Sequence, residues 1–200
     1  MGGLSAWANT THDWAATVDQ EHLRLVRARA RHDPPTVQHL VLETLAYTND
    51  EAESLGRHGE CLVTFHIDGS ISVSDDGRGT DTRRDSAGRI VRKPVMATKD
   101  LRFFDHPAAA ALPDGVARRG MSVVAALSDW LEHANFRADG AWVQRYEHGV
   151  PSSDLREMPT SSSTGTVVHF HPDPHLVTQA TTNPAWYAAF RWITVRTLTE

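Results

Sequence analysis

The stretch from Asp33 to Glu53, DPPTVQHLVLETLAYTNDEAE, constrains this chain more than any other, because it reads as one amphipathic helix with two unlike faces. Asp33 is placed to cap it, and Pro34 suits a first helical turn, where a missing N–H costs nothing. Val37, Leu40, Val41, Thr44 and Thr48 recur at helical spacing and predict a buried stripe. A second stripe is polar: His39, Glu43 and Tyr47 stand four residues apart and stack along one side, with Asp50 about one turn further on. A histidine four residues before a glutamate can hydrogen-bond the carboxylate and fix its direction, as a general base requires. The same spacing also describes a solvated i,i+4 pair on a surface helix, so the helix by itself leaves both readings open.

Such a helix needs a core to lie on, and 200 residues at 40% hydrophobic content supply one for a single domain. Residues 1–18, with Trp7 and Trp14 among small polar neighbours, read as an N-terminal arm, and residues 19–200 as the domain. A formal charge of −5 gives no general electrostatic drive toward nucleic acid or acidic membranes, so neither is an expected partner. No apolar run approaches the roughly 20 residues of a membrane span, and the N-terminus lacks a leader pattern. A soluble cytoplasmic chain is expected. A single cysteine, Cys61, excludes an internal disulfide and a multi-cysteine zinc site and reads as a core thiol. His169 and His171 alternate on a strand-like run as a minor metal candidate, but the histidines show no HExxH pattern and no metal is expected.

In chain order, DQEHLRLVRARAR from Asp19 to Arg31 predicts a short helix whose arginines form a solvated face. After the central helix, CLVTFHI and ISVS alternate around Asp68-Gly69, a hairpin signal, and the second strand runs into Asp75-Asp76-Gly77-Arg78-Gly79. Two glycines there permit close backbone approach to a carboxylate at a strand end, although a bare DDGRG also describes a surface turn. Residues 80–119 read as a long, partly helical excursion, and a segment of that length is a candidate lid. Gly120 to Leu131 predicts a helix, and Phe136 to Val150 a second hairpin around Asp139-Gly140, its end marked by Tyr146-Glu147-His148-Gly149. A polar connector over 152–164 leads to the strand GTVVHFHPD. The closing NPAWYAAFRWITVRTLTE predicts an amphipathic helix capped by Asn183, with Trp186, Phe190 and Trp192 packed on a sheet or a partner.

Taken in this order, LVLETLAYTNDEA, SVSDDGRG, GMSVVAALS, RYEHGVP and GTVVHFHPD resemble the ATP-binding domain of the DNA gyrase B subunit, over roughly residues 20 to 196. The resemblance implies the GHKL superfamily and its Bergerat fold: an α+β two-layer sandwich, with a mixed, mostly antiparallel sheet covered on one face by helices. It implies that Glu43 matches the general base for water attack on the γ-phosphate, and His39 the histidine that orients it. Asp75 matches the aspartate that binds the adenine amino group, Gly79 the glycine behind the ring, and Arg78 the arginine flanking the pocket. Thr166 matches the threonine that contacts the adenine site through water, and Asp50 a further acidic residue on the pocket helix.

The departures fall on the magnesium–triphosphate end. Where the family has a magnesium-ligating asparagine, this chain has Tyr47, whose ring cannot replace an amide oxygen at a hard cation. The family's glycine-rich phosphate run reads Asp114-Gly115-Val116-Ala117-Arg118-Arg119-Gly120, whose side chains should hinder close backbone approach to phosphates. Arg118 and Arg119 offer phosphates positive charge in another manner. Thr80-Asp81 replaces an Ile-Pro, Val143 an arginine, and Arg31-His32-Asp33-Pro34 an RPGMYIG-type motif. No transducer domain, with its γ-phosphate lysine, follows in this sequence.

Proton-handling residues therefore survive while the cation site is dismantled. The expectation is a small-molecule pocket for metal-independent acid/base chemistry of isomerase, cyclase, lyase or hydrolase type, with Glu43, His39 and Tyr47 catalytic and His148 a lesser candidate. Asp75, Arg78, Gly79, Thr166, Asp50 and Arg118 would bind the ligand. No cofactor is expected, and ATP with magnesium is disfavoured. The alternatives are a module that binds nucleotides or gyrase-directed inhibitors without chemistry, and a residual magnesium-dependent ATPase. Gyrase-like domains dimerise through an N-terminal arm; this arm differs in sequence, which leaves a homodimer allowed but not implied.

Overall fold

The computed structural model describes residues 12, 18–104, 109–180 and 182–200, so Trp7, Trp14 and most of the expected arm lie outside the described residues. Helix α1, Gln20–Ala30, starts where the Asp19 carboxylate accepts the N–H of His22, and it turns Leu23, Val26 and Ala30 inward. Helix α2, Val37–Leu55, is the predicted central helix with a different start. Its cap is Thr36, whose hydroxyl accepts the N–H of His39, and not Asp33. Pro34 and Pro35 disfavour helical geometry ahead of them, so Thr36 is the first residue able to supply an acceptor at the right place. Gly56, at φ 61°, closes the helix in the left-handed conformation.

Strands β1, Gly59–Phe65, and β2, Ile71–Asp75, form the predicted hairpin, its turn held by Asp68 accepting from the N–H and hydroxyl of Ser70. The 80–119 segment is not helical among its described residues. It holds a small hairpin, β3, Thr82–Arg84, with β4, Ile90–Arg92, followed by turns. Helix α3, Met121–Ala126, is half the predicted length, because β5 begins at Ser128 and runs to Arg137. There Leu131, His133 and Asn135 point inward at period two, and pairing on both sides overrides the helical reading. β6, Gly140–Glu147, completes the second hairpin, and β7, Val150–Pro151, with β8, Arg156–Met158, adds short strands within and beside the polar connector. β9 is Gly165–Pro172. The closing segment is not one helix. Asn183 caps a 3-10 turn over Pro184–Ala189, and β10, Ile193–Thr199, follows, its β-branched ITVRT suiting a pleated edge.

The eight-stranded sheet runs β10-β1-β2-β9-β5-β6-β7, with β8 also on β6, and β1–β10 is its parallel pair. This is the α+β arrangement expected: a mostly antiparallel sheet with helices on one face, α2 over β1, β2 and β10, and α3 over β5, β6 and β9. Leu40, Val41 and Leu45 meet Val63, Val73, Leu131 and Phe170 between the layers, all fully or almost fully buried. One expected solvated face is corrected. Arg24 does pair at the surface with Glu21, but Arg27 turns in to the carbonyl of Ala126 and the carboxylate of Asp173.

Candidate functional site

The apolar stripe of α2 is buried against the sheet, and of the polar stripe His39 and Glu43 are buried while Tyr47 and Asp50 are half-buried, with groups from 102–104 and 114–120 packed along it. The Glu43 side chain is wholly buried, and both its oxygens accept main-chain hydrogen bonds, from the N–H of Arg119 at 2.6 Å and of Gly120 at 2.9 Å. Burial pushes the Glu43 carboxyl above its ordinary range, against the opposing pull of His39, these two N–H groups and Arg118. His39 Nε2 stands 3.6 Å from Glu43, beyond hydrogen-bond length, while Nδ1 lies 2.7 Å from the Asp114 carboxylate. Asp114 also accepts the N–H of Val116, and it holds the imidazole in line with Glu43.

Tyr47 continues the stripe. Its hydroxyl lies 3.0 Å from that of Thr80, which also meets His133 Nε2 at 3.3 Å. Burial holds the phenol well above its ordinary range. Asp50, a turn on, accepts both guanidinium nitrogens of Arg118 at 2.9 Å and one of Arg102 at 3.2 Å. The Arg118 and Arg102 guanidinium groups also lie over the Phe103 ring, so two arginines are clasped on one helix carboxylate with an aromatic ring against both.

Asp75 ends β2 with one oxygen accepting from the N–H of Gly77 at 2.9 Å and of Thr166 at 3.2 Å. Burial outweighs these bonds and raises its carboxyl to about 6. Thr166 is buried beside it on β9, whereas Arg78 points out and pairs with Glu51 on α2. Gly79, at φ 81°, sits where a Cβ would come within 2.8 Å of the Phe136 carbonyl and closer to Asn135, so the fold itself demands glycine there.

The structure thus gathers His39, Glu43, Tyr47, Asp50 and Arg118 along α2 and the 114–120 segment packed on it, with Asp75 and Thr166 at the end of β2 and the start of β9. His148 is elsewhere, 3.1 Å from Arg27. Among the described residues, Asp129, His148 and Asp173 come close enough for one ion, but the Arg27 guanidinium already engages the last two. His169 bonds Ser70 on the open sheet face, and Cys61 is the core thiol expected. Sequence reasoning missed Asp114 as the partner of His39, along with Arg102 and Thr80. Only Asp114, next to a turn-forming glycine, carried a local signal. No helix among the described residues is long and apolar enough to cross a membrane.

No protein-family model matches the chain. It is 33% identical over 153 residues to the DNA topoisomerase 4 B subunit of Bacillus subtilis, and 32% identical over 152 residues to the DNA gyrase B subunit of Thermotoga maritima. These alignments take in 76% and 74% of this chain but 23% of either relative, so it spans about a quarter of their length. Its fold matches a topoisomerase IV ATP-binding domain of Francisella tularensis, solved with a small-molecule inhibitor, at a TM-score of 0.64 and 22% identity. That match covers 84% of this chain and 83% of the other.

Proposed function

The chain belongs to the GHKL superfamily as a gyrase-B-like domain, and from that membership we propose that its cleft serves a small molecule carrying no metal-bound triphosphate. In this reading Asp75 and Thr166 anchor a flat polar ring, and Glu43, oriented by His39 and Asp114, takes up or gives a proton. The observation that carries it is the state of the main chain at Arg119 and Gly120. These N–H groups, in the run that would cradle phosphate, are spent on the protein's own Glu43. The Arg118 side chain, where the family has a phosphate-run residue, is spent on Asp50.

The residues present do not fit a magnesium–triphosphate group. Tyr47 stands at the metal-ligand position with its hydroxyl on Thr80, and a neutral phenol there is a poor ligand for a cation that wants charged or amide oxygens. What fits is proton transfer: a buried carboxyl raised by desolvation above the ordinary carboxylate range can act as acid or base in isomerisation, cyclisation, elimination or water addition. Access requires the 118–120 segment to lift from Glu43 and Asp50.

Calorimetry with ADP, ATP and an aminocoumarin, each with and without Mg²⁺, tests the pocket. Affinity unchanged by magnesium, and reduced about tenfold or more by Asp75→Asn through the lost charged acceptor, is expected. A magnesium-dependent gain in ATP affinity, or magnesium-dependent phosphate release, would overturn it. A second reading, binding without chemistry, is favoured by Glu43 having both oxygens satisfied by main chain. Glu43→Gln separates the two: once a substrate is identified by native mass spectrometry, full turnover by the variant would leave only the binding role.

A further inference from the structure

A cavity of about 310 Å³ opens at the His39–Asp114 pair, and none of Glu43, Asp75 or Thr166 lines it. Its apolar wall is drawn from three separate parts of the fold: Val26 and Ala30 of α1, Val123 of α3 with Leu127 just beyond it, and the half-buried ring of Trp186. Such a wall, at a volume toward the lower end of small-molecule sites, suits a molecule of one or two fused rings.

The charges of the lining cancel. Two arginines, Arg29 and Arg119, stand against two aspartates, Asp33 and Asp114. Asp114 accepts the N–H of Val116 and lies 2.7 Å from His39 Nδ1; although burial works against it, these contacts hold its carboxyl below the ordinary range, so it keeps its negative charge. The Arg119 guanidinium is engaged over the Phe104 ring, 5.5 Å from its centre. Arg29 and Asp33 are both exposed and adjacent, the Asp33 N–H donating to the Arg29 carbonyl at the end of α1. The Thr36 hydroxyl is spent on the N–H of His39. An ionised occupant would therefore leave water for an apolar wall that holds no surplus of opposite charge, and burying a charge without a partner is costly. An uncharged molecule avoids that cost.

We propose that this cavity is a second small-molecule site, separate from the Asp75 corner, for an uncharged, mostly apolar molecule of one or two fused rings. The site is independent of any chemistry at Glu43.

Calorimetry on the full chain with 2-naphthamide tests it, with 2-naphthoate and 2-naphthylmethylammonium as the anionic and cationic counterparts of the same ring. The amide is expected to bind several-fold more tightly than either ion. Asp33→Asn, which leaves the positive charge of Arg29 in surplus, should move the preference several-fold toward naphthoate, and Arg29→Gln should move it toward the ammonium. Ala30→Leu, which adds bulk to the wall, is expected to abolish amide binding, while Asp75→Asn leaves it unchanged. Val116 lines the cavity and is 47% exposed, so Val116→Trp obstructs it with little burden on the core should Ala30→Leu misfold. No amide binding to the unaltered chain would overturn the site, as would binding that survives both filling variants or is lost in Asp75→Asn. Equal or tighter binding of either ion would overturn the assignment of an uncharged occupant.

Discussion

Asp75 shows how one buried carboxyl sets both a stability profile and a binding profile. With its folded value raised to about 6, above the ordinary 3.8, its ionisation opposes folding, so its contribution is fully favourable below about pH 4 and is lost as pH rises through 6. Asp75→Asn keeps an oxygen for the Gly77 and Thr166 N–H groups without the buried charge. Urea unfolding should find the variant more stable by about 3 kcal/mol at pH 7.5 and within about 0.5 kcal/mol of the parent at pH 4. Ligand affinity should run the other way, falling below pH 6 as the acceptor is protonated. The His39, Glu43 and Tyr47 stripe was legible as a spacing on α2, whereas Asp75 was singled out through the family resemblance, its DDGRG run also reading as a surface turn. The partners of Glu43 were not, since Arg119 lies 76 residues on and gives a main-chain N–H that no residue type advertises.

At the level of elements, the 114–120 segment is held by a few polar contacts concentrated on α2. Arg118 is buried, clasped to Asp50 and stacked 4.1 Å from the centre of the Phe103 ring, so Arg118→Ala leaves Asp50 with Arg102 alone. Hydrogen exchange should speed up about tenfold to a hundredfold at the amides of Arg119 and Gly120, while the amides of β2 and β9 keep their protection. Unchanged exchange would mean that the Glu43 bonds alone hold the segment. The β1–β2 hairpin and β9 were readable from alternation and an Asp-Gly turn, which are local signals. The β3–β4 hairpin inside the 80–119 excursion, the short α3 and the C-terminal β10 were not. Their form is imposed by neighbours: β5 pairs with both β9 and β6 just where SDWL could continue a helix, and ITVRTLT finds β1 beside it. An aromatic cluster at helical spacing ahead of that strand, Trp186, Phe190 and Trp192, misdirected the reading.

For the whole molecule, the helical layer is fastened to the sheet at the α1 end by one guanidinium. Arg27 leaves α1, reaches the Ala126 carbonyl at the end of α3 at 2.7 Å, meets Asp173 beyond β9 at 3.1 Å, and lies beside His148 in the β6–β7 turn. Its side chain is 21% exposed and that of Asp173 only 5%, so the pair is far drier than the surface pair Arg24–Glu21 at 64% and 65%. Removing one partner of a mostly buried pair strands the other, which costs more than the pair itself contributes. Arg27→Ala should therefore lower unfolding free energy by about 2–4 kcal/mol, against at most about 0.5 kcal/mol for Arg24→Ala, in parallel urea titrations. Equal effects would mean that the apolar contacts of Leu23 and Val26 suffice to seat α1.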